Sequence, residues 1–415
     1  MSIKQFQEFR TALEEFTEEV TAEVNEPTEE LSLEPMAESD EQSEAIDEDV
    51  ESLNASAKAL EDIAAMVEEA PGASDEPLEP FVQKAATVAL ESADLQIGYD
   101  KKDTKEGFVG KAKAVAAKII EAILEMGRRI VEWIKGVWAR VTDRVTKNAA
   151  FAKKLMSKEA NYNATPGAKI TDKALLAAMA GGREVGEVMM DVVAHATQQA
   201  NKGAPALASA AKKLIAQFAR AKFQDEREIS YDQITSAITA SAGTFAGGPA
   251  PAAIRSAVKA GTTAQVLVSE AFFAGYRAWV VAPASGDTLQ EWNHGLSKVE
   301  DVSPAASVNV PDPQEIRSIC EYVVSAGELV AKYRASLKDI ESLEGDLKAL
   351  RAKVKTDLPE AAAKELRLMS ALLPKIIKGP QVAAYNYAAT AGSIALRYCA
   401  SGMKAKAPKE EKAKA

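Results

Sequence analysis

Cysteine and histidine are almost missing from the 415-residue chain, which contains two of each. Cys320 and Cys399 are too few and too far apart in sequence to indicate a disulfide framework or a zinc site. His195 and His294 offer little for catalysis or metal binding that relies on histidine. The sequence also lacks the phosphate-binding, dinucleotide-binding, zinc-protease and serine-hydrolase motifs. We therefore expect a protein that is not an enzyme, and we assign no catalytic residues, no cofactor and no metal ligands.

Long apolar runs and strand-like alternation are missing as well. No segment contains the roughly 18 to 20 apolar residues that a membrane span needs, and the polar residues 1–10 do not form a signal peptide. Aromatic residues make up 6% of the chain and alanine is frequent, a composition that favours helices with small side chains at their contacts. These features predict an all-α fold, a multi-helix bundle without strands.

The charge is divided unevenly along the chain. Residues 1–100 contain 28 acidic and 4 basic residues, a balance of −24, whereas the remaining residues contain 33 acidic and 46 basic ones, a balance of +13. Such an asymmetry is typical of an acidic tail joined to a body that faces a polyanion or a membrane. The alternative is a solvated acidic tail that only aids solubility. In both cases we expect residues 1–100 to be partly disordered or loosely helical. Within this segment the acidic residues 25–50 are expected to be disordered, and Leu53, Leu60, Ile63 and Val67 predict a helix over residues 53–67.

Residues 111–158 form the one long segment that is both strongly periodic and strongly basic. Twelve Lys and Arg residues stand against four acidic ones, and apolar residues recur every three or four positions, as on one side of an α-helix. Such a helix can contact DNA phosphates, lie on a membrane surface, or pack its apolar side in a bundle and leave its charges in solvent. For the two binding roles the candidate contact residues are Lys118, Arg128, Arg129, Lys135, Arg140, Arg144, Trp133 and Trp138.

Breaks in the helical periodicity divide the chain into five predicted regions. They are an acidic segment (1–100), a basic amphipathic helix followed by an Ala-rich helical domain (101–285), a connecting loop (286–313), a C-terminal helical region (314–403) and a charged tail (404–415). Residues 252–281 form the most apolar predicted helix, and Gly379-Pro380 is expected to break the C-terminal region before the last helix. Residues 313–356 repeat apolar positions at alternating steps of four and three, which predicts a long coiled-coil-like helical hairpin suited to oligomerisation.

This arrangement resembles the internal virion, or inner head, structural proteins of large contractile-tailed bacteriophages. In that group an acidic, Glu-rich propeptide precedes a segment that bears Lys, Arg and Trp. A helical body follows, with a long coiled-coil-like helix and a last helix that contains Ala and Tyr. The corresponding parts of this chain are residues 14–91, 111–158, 315–354 and 382–398. The resemblance extends over most of the chain.

The resemblance implies that the acidic segment is a propeptide. In this group a head-maturation protease cuts after Glu in a triplet that starts with a small or aliphatic residue. The candidate cleavage positions here follow Glu91, Glu61 and Glu38. Glu91 is the best placed, because the acidic segment ends there, and a cut after it leaves 35 acidic and 46 basic residues, a net charge of +11.

The same resemblance implies a non-enzymatic virion structural protein that is made in the host cytoplasm and then located inside the head. There it would contact packaged DNA without sequence specificity, bind other virion proteins, form oligomers, and be ejected with the genome. Two alternatives from other classes stay open. One is a membrane-active protein that acts through its amphipathic helix, and the other is a helical scaffolding protein that oligomerises.

Overall fold

The structure is a computed structural model that describes residues 45–46, 48–50, 52–62, 65, 105–159, 162–181, 183–220, 235–236, 239–240, 245–247, 265–282, 289, 291–299, 302–354 and 360–404. Seven α-helices with complete bounds lie in these ranges: α1 Lys105–Glu159, α2 Lys173–Ala178, α3 Val185–Gln198, α4 Ala204–Arg220, α5 Pro313–Glu328, α6 Val330–Val354 and α7 Glu360–Lys404. A π-helical turn, Gln199–Gly203, joins α3 to α4. The fold is mostly helical, as predicted.

Strands are also present, so the prediction of a fold without them is wrong. They are β1 Lys169–Ile170, β2 Ala246–Gly247, β3 Gln265–Val268, β4 Tyr276–Ala282, β5 Asn293–Lys298 and β6 Val308–Asn309. Strands β2, β3, β4 and β5 form an antiparallel sheet in that order, and β1 pairs with β6. Two of these strands, β5 and β6, lie in the predicted connecting loop, which is therefore ordered in part.

The predicted apolar helix 252–281 is replaced by strands β3 and β4 where the structure describes it. Along β4, Ala278 and Val280 enter the main hydrophobic core, whereas Trp279 and Val281 form a second apolar cluster with Val266 of β3. Both faces of the strand are therefore buried. A strand of this kind shows no alternation of apolar and polar residues, and its sequence cannot be distinguished from a buried helix by periodicity.

Helix α1 is a single helix of 55 residues, which Gly127 and Gly136 do not interrupt. Its predicted apolar stripe is the central part of the core. The stripe residues are all buried: Val115, Ile119, Ile120, Ile123, Ile130, Ile134, Val137, Val141 and Val145. Burying each of these side chains contributes roughly 1.5–3 kcal/mol, so the packing role predicted as one alternative is present in the folded chain.

Helices α5 and α6 run antiparallel to α1. Residue numbers rise along α5 and α6 while those of their contacts on α1 fall. The contacts are Arg317 with Glu159, Gly327 with Val145, Tyr333 with Trp138, and Glu344 with Arg128. Seam positions Ile319, Val323 and Ala326 are buried inside the bundle, and Leu329 separates α5 from α6. A coiled-coil hairpin is not confirmed by these contacts.

Helix α7 runs parallel to α1 and contacts it over much of its length. Gly127 lies beside Ile377, and further along Asn148 donates a hydrogen bond from Nδ2 to the Ala389 carbonyl oxygen at 2.9 Å. The helix is kinked at Gly379, whose φ of 53° and ψ of 153° are not helical. This kink lies at the predicted break between the last two helices.

Candidate polyanion-contact surface on helix α1

The two tryptophans of α1 belong to the interior of the bundle. Trp138 is buried, and its ring centroid lies 4.8 Å from that of Tyr333 on α6 and 5.1 Å from that of Tyr385 on α7. Trp133 is half-buried and packs against the same core. In the folded chain Trp138 therefore reaches neither DNA nor a membrane surface unless the three helices separate.

Two of the candidate cations form ion pairs with carboxylates of α6. Arg128 Nε lies 3.2 Å from Glu344 Oε1, and Lys135 Nζ lies 3.1 Å from Glu341 Oε1. The hydrogen bond with Glu344 raises the pKa of Arg128, and the one with Glu341 raises the pKa of Lys135. These charges are partly neutralised within the fold.

A third candidate, Arg144, is directed towards α7. Its Nη1 donates a hydrogen bond to the Thr390 hydroxyl oxygen at 3.0 Å, and its side chain is half-buried. Arg144 thus contributes to the contact between α1 and α7 more than to the outer surface.

Arg129 pairs with the acidic N-terminal part of the chain. We call the described helical residues 45–46, 48–50 and 52–62 the acidic helix. Its Asp49 Oδ2 lies 2.7 Å from Arg129 Nη1, and its Glu61 Oε2 lies 2.8 Å from Nη1 of Arg367 on α7. The other side of this helix is anchored in the main core by Ile46, Val50, Leu53, Ala57 and Leu60, all buried.

These contacts correct one expectation about residues 1–100. The described residues between 45 and 50 are helical and packed, although their composition predicted disorder. The apolar spacing of Leu53 and Leu60 did predict a helix over the residues that follow. The sequence offered no sign that this helix docks on the body. Arg367 was likewise missed, because its partner lies 306 residues away.

Lys118 and Arg140 are the two candidates that remain exposed and, within the described part of the chain, have no charged partner. Lys118, Arg129 and Arg140 follow one another at intervals of eleven residues. Eleven residues are close to three helical turns, so the three side chains lie on one line about 16 Å apart. We call this row the α1 cation line.

Of the three candidate cleavage positions, the structure describes only Glu61. Glu61 lies in the acidic helix with Leu60 fully buried beside it, and its carboxylate is paired with Arg367. A protease needs an extended chain, which this helix does not present. Glu38 and Glu91 lie outside the described residues.

None of the described helices is long and apolar enough to cross a membrane, and no three His, Cys, Asp or Glu residues in the described part of the chain are grouped closely enough to hold a metal ion. The exposed side of α1 therefore carries three aligned cations, and one of them, Arg129, is paired with Asp49 of the acidic helix.

The fold and this surface define a class, a mostly helical protein built around one long basic helix with an acidic helix docked on it. Residues 19–401 match the family model of phiKZ-like phage internal head proteins, and the chain belongs to this family. It is therefore an internal head protein of a large phage, located inside the virion capsid. No curated protein and no solved structure matches the chain.

Proposed function

We propose that this internal head protein is a non-enzymatic structural protein that contacts packaged DNA through the α1 cation line, without reading its sequence. One observation carries the proposal, which is the alignment of Lys118, Arg129 and Arg140 on the outer side of α1. Cations at regular intervals along a rigid helix can each neutralise a phosphate of a DNA backbone. The helix is rigid because its opposite side is the centre of the core.

DNA binding measured against salt concentration tests this proposal. We expect the chain that begins at Ser92, the product of a cut after Glu91, to bind a short DNA duplex of any sequence. Each lost phosphate contact lowers the slope of log K against log salt by about 0.9. The variant Lys118→Ala/Arg140→Ala should therefore lower the slope by about 1.8.

The matched control is Lys212→Ala/Lys213→Ala on α4. These two lysines are also exposed, and their removal changes the net charge by the same amount. The control should leave the slope unchanged. If the chain from Ser92 does not bind DNA even at low salt, or if both double variants weaken binding equally, the cation line is not the contact surface.

We also propose that the head-maturation protease removes the acidic segment, with Glu91 as the main position. The structure around Glu61 supports Glu91 over Glu61 as the cleavage position, because the triplet Ala59-Leu60-Glu61 is helical and largely buried. Mass spectrometry of purified virions would identify the N-terminus of the mature chain. A mature N-terminus at Ser92 is expected, and a full-length chain in mature particles would contradict the proposal.

Association with other virion proteins and self-association complete the proposal. The coiled-coil-like hairpin of residues 313–356 remains a prediction. Its buried positions Ile319 and Val323 are used inside the chain, so an oligomer would have to use other side chains of α5 and α6. Light scattering of the purified chain measures this directly, and a monomer at high concentration would remove oligomerisation from the proposal.

A further inference from the structure

Two arginines on different helices of the body are held by carboxylates of one short helix. Arg129 is on α1 and Arg367 is on α7, and their partners Asp49 and Glu61 are twelve residues apart in the acidic helix. Twelve residues of α-helix span about 18 Å. The acidic helix therefore presents two anionic groups at a fixed separation to two guanidinium groups.

The surroundings of these arginines connect them with the α1 cation line. Helices α1 and α7 run parallel, with Gly127 beside Ile377. Arg367 lies ten residues before Ile377 on α7, and Lys118 lies nine residues before Gly127 on α1. Arg129 itself is a member of the line. The acidic helix thus pairs with one member of the α1 cation line and with one arginine of α7.

Arginine pairs with carboxylate and with phosphate through the same planar set of N–H donors. A carboxylate that occupies such a donor set excludes a phosphate from it. We propose that Asp49 and Glu61 occupy phosphate positions, so that the acidic helix and a DNA backbone compete for Arg129 and Arg367. This inference rests on the proposed DNA contact, to which it adds Arg367 and a built-in competitor.

The buried apolar side chains of the acidic helix, rather than its ion pairs, keep it docked on the body. Exposed ion pairs contribute little to stability, and the Arg129 and Asp49 side chains are 56% and 43% exposed. Docking therefore depends mainly on the buried side chains around Leu53 and Leu60. The two carboxylates can therefore be neutralised while the helix stays docked. Their charge and the docking of the helix can then be tested separately.

The test uses the full chain and the isosteric variant Asp49→Asn/Glu61→Gln. We expect this variant to bind a short DNA duplex several-fold more tightly than the wild type at low salt. Its slope of log K against log salt should steepen by about 1.8, because two phosphate contacts are gained. Adding Arg129→Ala/Arg367→Ala to this variant should remove the gain.

The control is Glu48→Gln/Asp62→Asn, which neutralises two exposed acids of the same helix. It changes the net charge equally and should leave the slope unchanged. Equal gains in the two variants would show that only total charge matters and would overturn the inference. A gain on anionic vesicles without a gain on DNA would also overturn it.

A second variant, Leu53→Ala/Leu60→Ala, loosens the helix without changing its charge and should also strengthen DNA binding. Circular dichroism checks that the body stays folded. If the chain from Ser92 fails to bind DNA, the proposed function is wrong. If that chain binds, but the Asp49/Glu61 variant matches its control, only the competition is wrong.

Discussion

Trp279 on β4 and Gly295 on β5 lie directly opposite each other in the antiparallel sheet, and the indole ring occupies the space above the glycine. A Cβ atom at position 295 would lie 2.6 Å from Cζ2 of Trp279. The indole Nε1–H donates a hydrogen bond to the Ser297 hydroxyl oxygen at 3.0 Å, which holds the ring in this place. The pair thereby stabilises the observed register of β4 and β5.

We expect Gly295→Ala to destabilise the protein by about 1–3 kcal/mol, because the new methyl group displaces the Trp279 ring. Denaturant unfolding measures the effect. The control is Gly345→Ala on α6, where a Cβ atom meets nothing within 4 Å. Alanine in a helix is favoured over glycine by up to about 1 kcal/mol, so this change should be neutral or stabilising. Equal effects of the two substitutions would contradict the clash.

The half-buried His195 and the buried His294 predict a loss of stability in mild acid. Burial lowers the pKa of His195 to about 4, and burial together with Lys378 lowers the pKa of His294 to about 3. In the unfolded chain both titrate near the usual value of about 6.5. Between these values the unfolded state binds more protons than the folded state, so the free energy of unfolding falls as the pH falls from about 6.5 towards 4.

Each histidine should contribute about 1.4 kcal/mol per pH unit near pH 5. The single variants His195→Phe and His294→Gln should each reduce the pH dependence of stability by that amount. Urea unfolding at several pH values between 4 and 7 gives these slopes. The ring of His195 lies 5.1 Å from that of Phe245, which is why phenylalanine is the suitable replacement there. Unchanged slopes in both variants would mean that the two rings are protonated in the folded state.

The burial of Trp138 predicts that its main contribution is to stability. Its ring packs against those of Tyr333 and Tyr385, which also stack on each other, so Trp138→Ala should cost about 3–5 kcal/mol. The half-buried Trp133 is the internal comparison, and Trp133→Ala should cost clearly less. Thermal or denaturant unfolding of both variants makes the comparison. A smaller loss at Trp138 than at Trp133 would contradict the packing described for these helices.

The sequence predicted those elements that depend on residues close together in the chain. The apolar stripe of α1 and the break at Gly379 follow from spacing within a single helix, and both were predicted correctly. The strand β4 was missed because its two buried faces remove the alternation that marks a strand. The partners of Arg128 and Arg129 were missed because Glu344 and Asp49 are distant in sequence, and only the folded chain brings these charges together.

The docked acidic helix predicts slow cleavage after Glu61 by any protease specific for Glu. The variant Leu60→Asp should release this helix, because a buried carboxylate without a partner is costly. We therefore expect a glutamyl endopeptidase to cut after Glu61 much faster in this variant than in the wild type. Mass spectrometry of the fragments over time follows the cut at this single position.

The matched control is Ala55→Asp, which places the same carboxylate on the exposed side of the helix. It should leave the rate of cleavage after Glu61 close to that of the wild type, because the apolar anchor is intact. Rapid cleavage after Glu61 in the wild type and in both variants would mean that the helix opens freely in solution. In that case the ion pair between Glu61 and Arg367 would be too short-lived to compete with a polyanion, and the proposed competition would be lost as well.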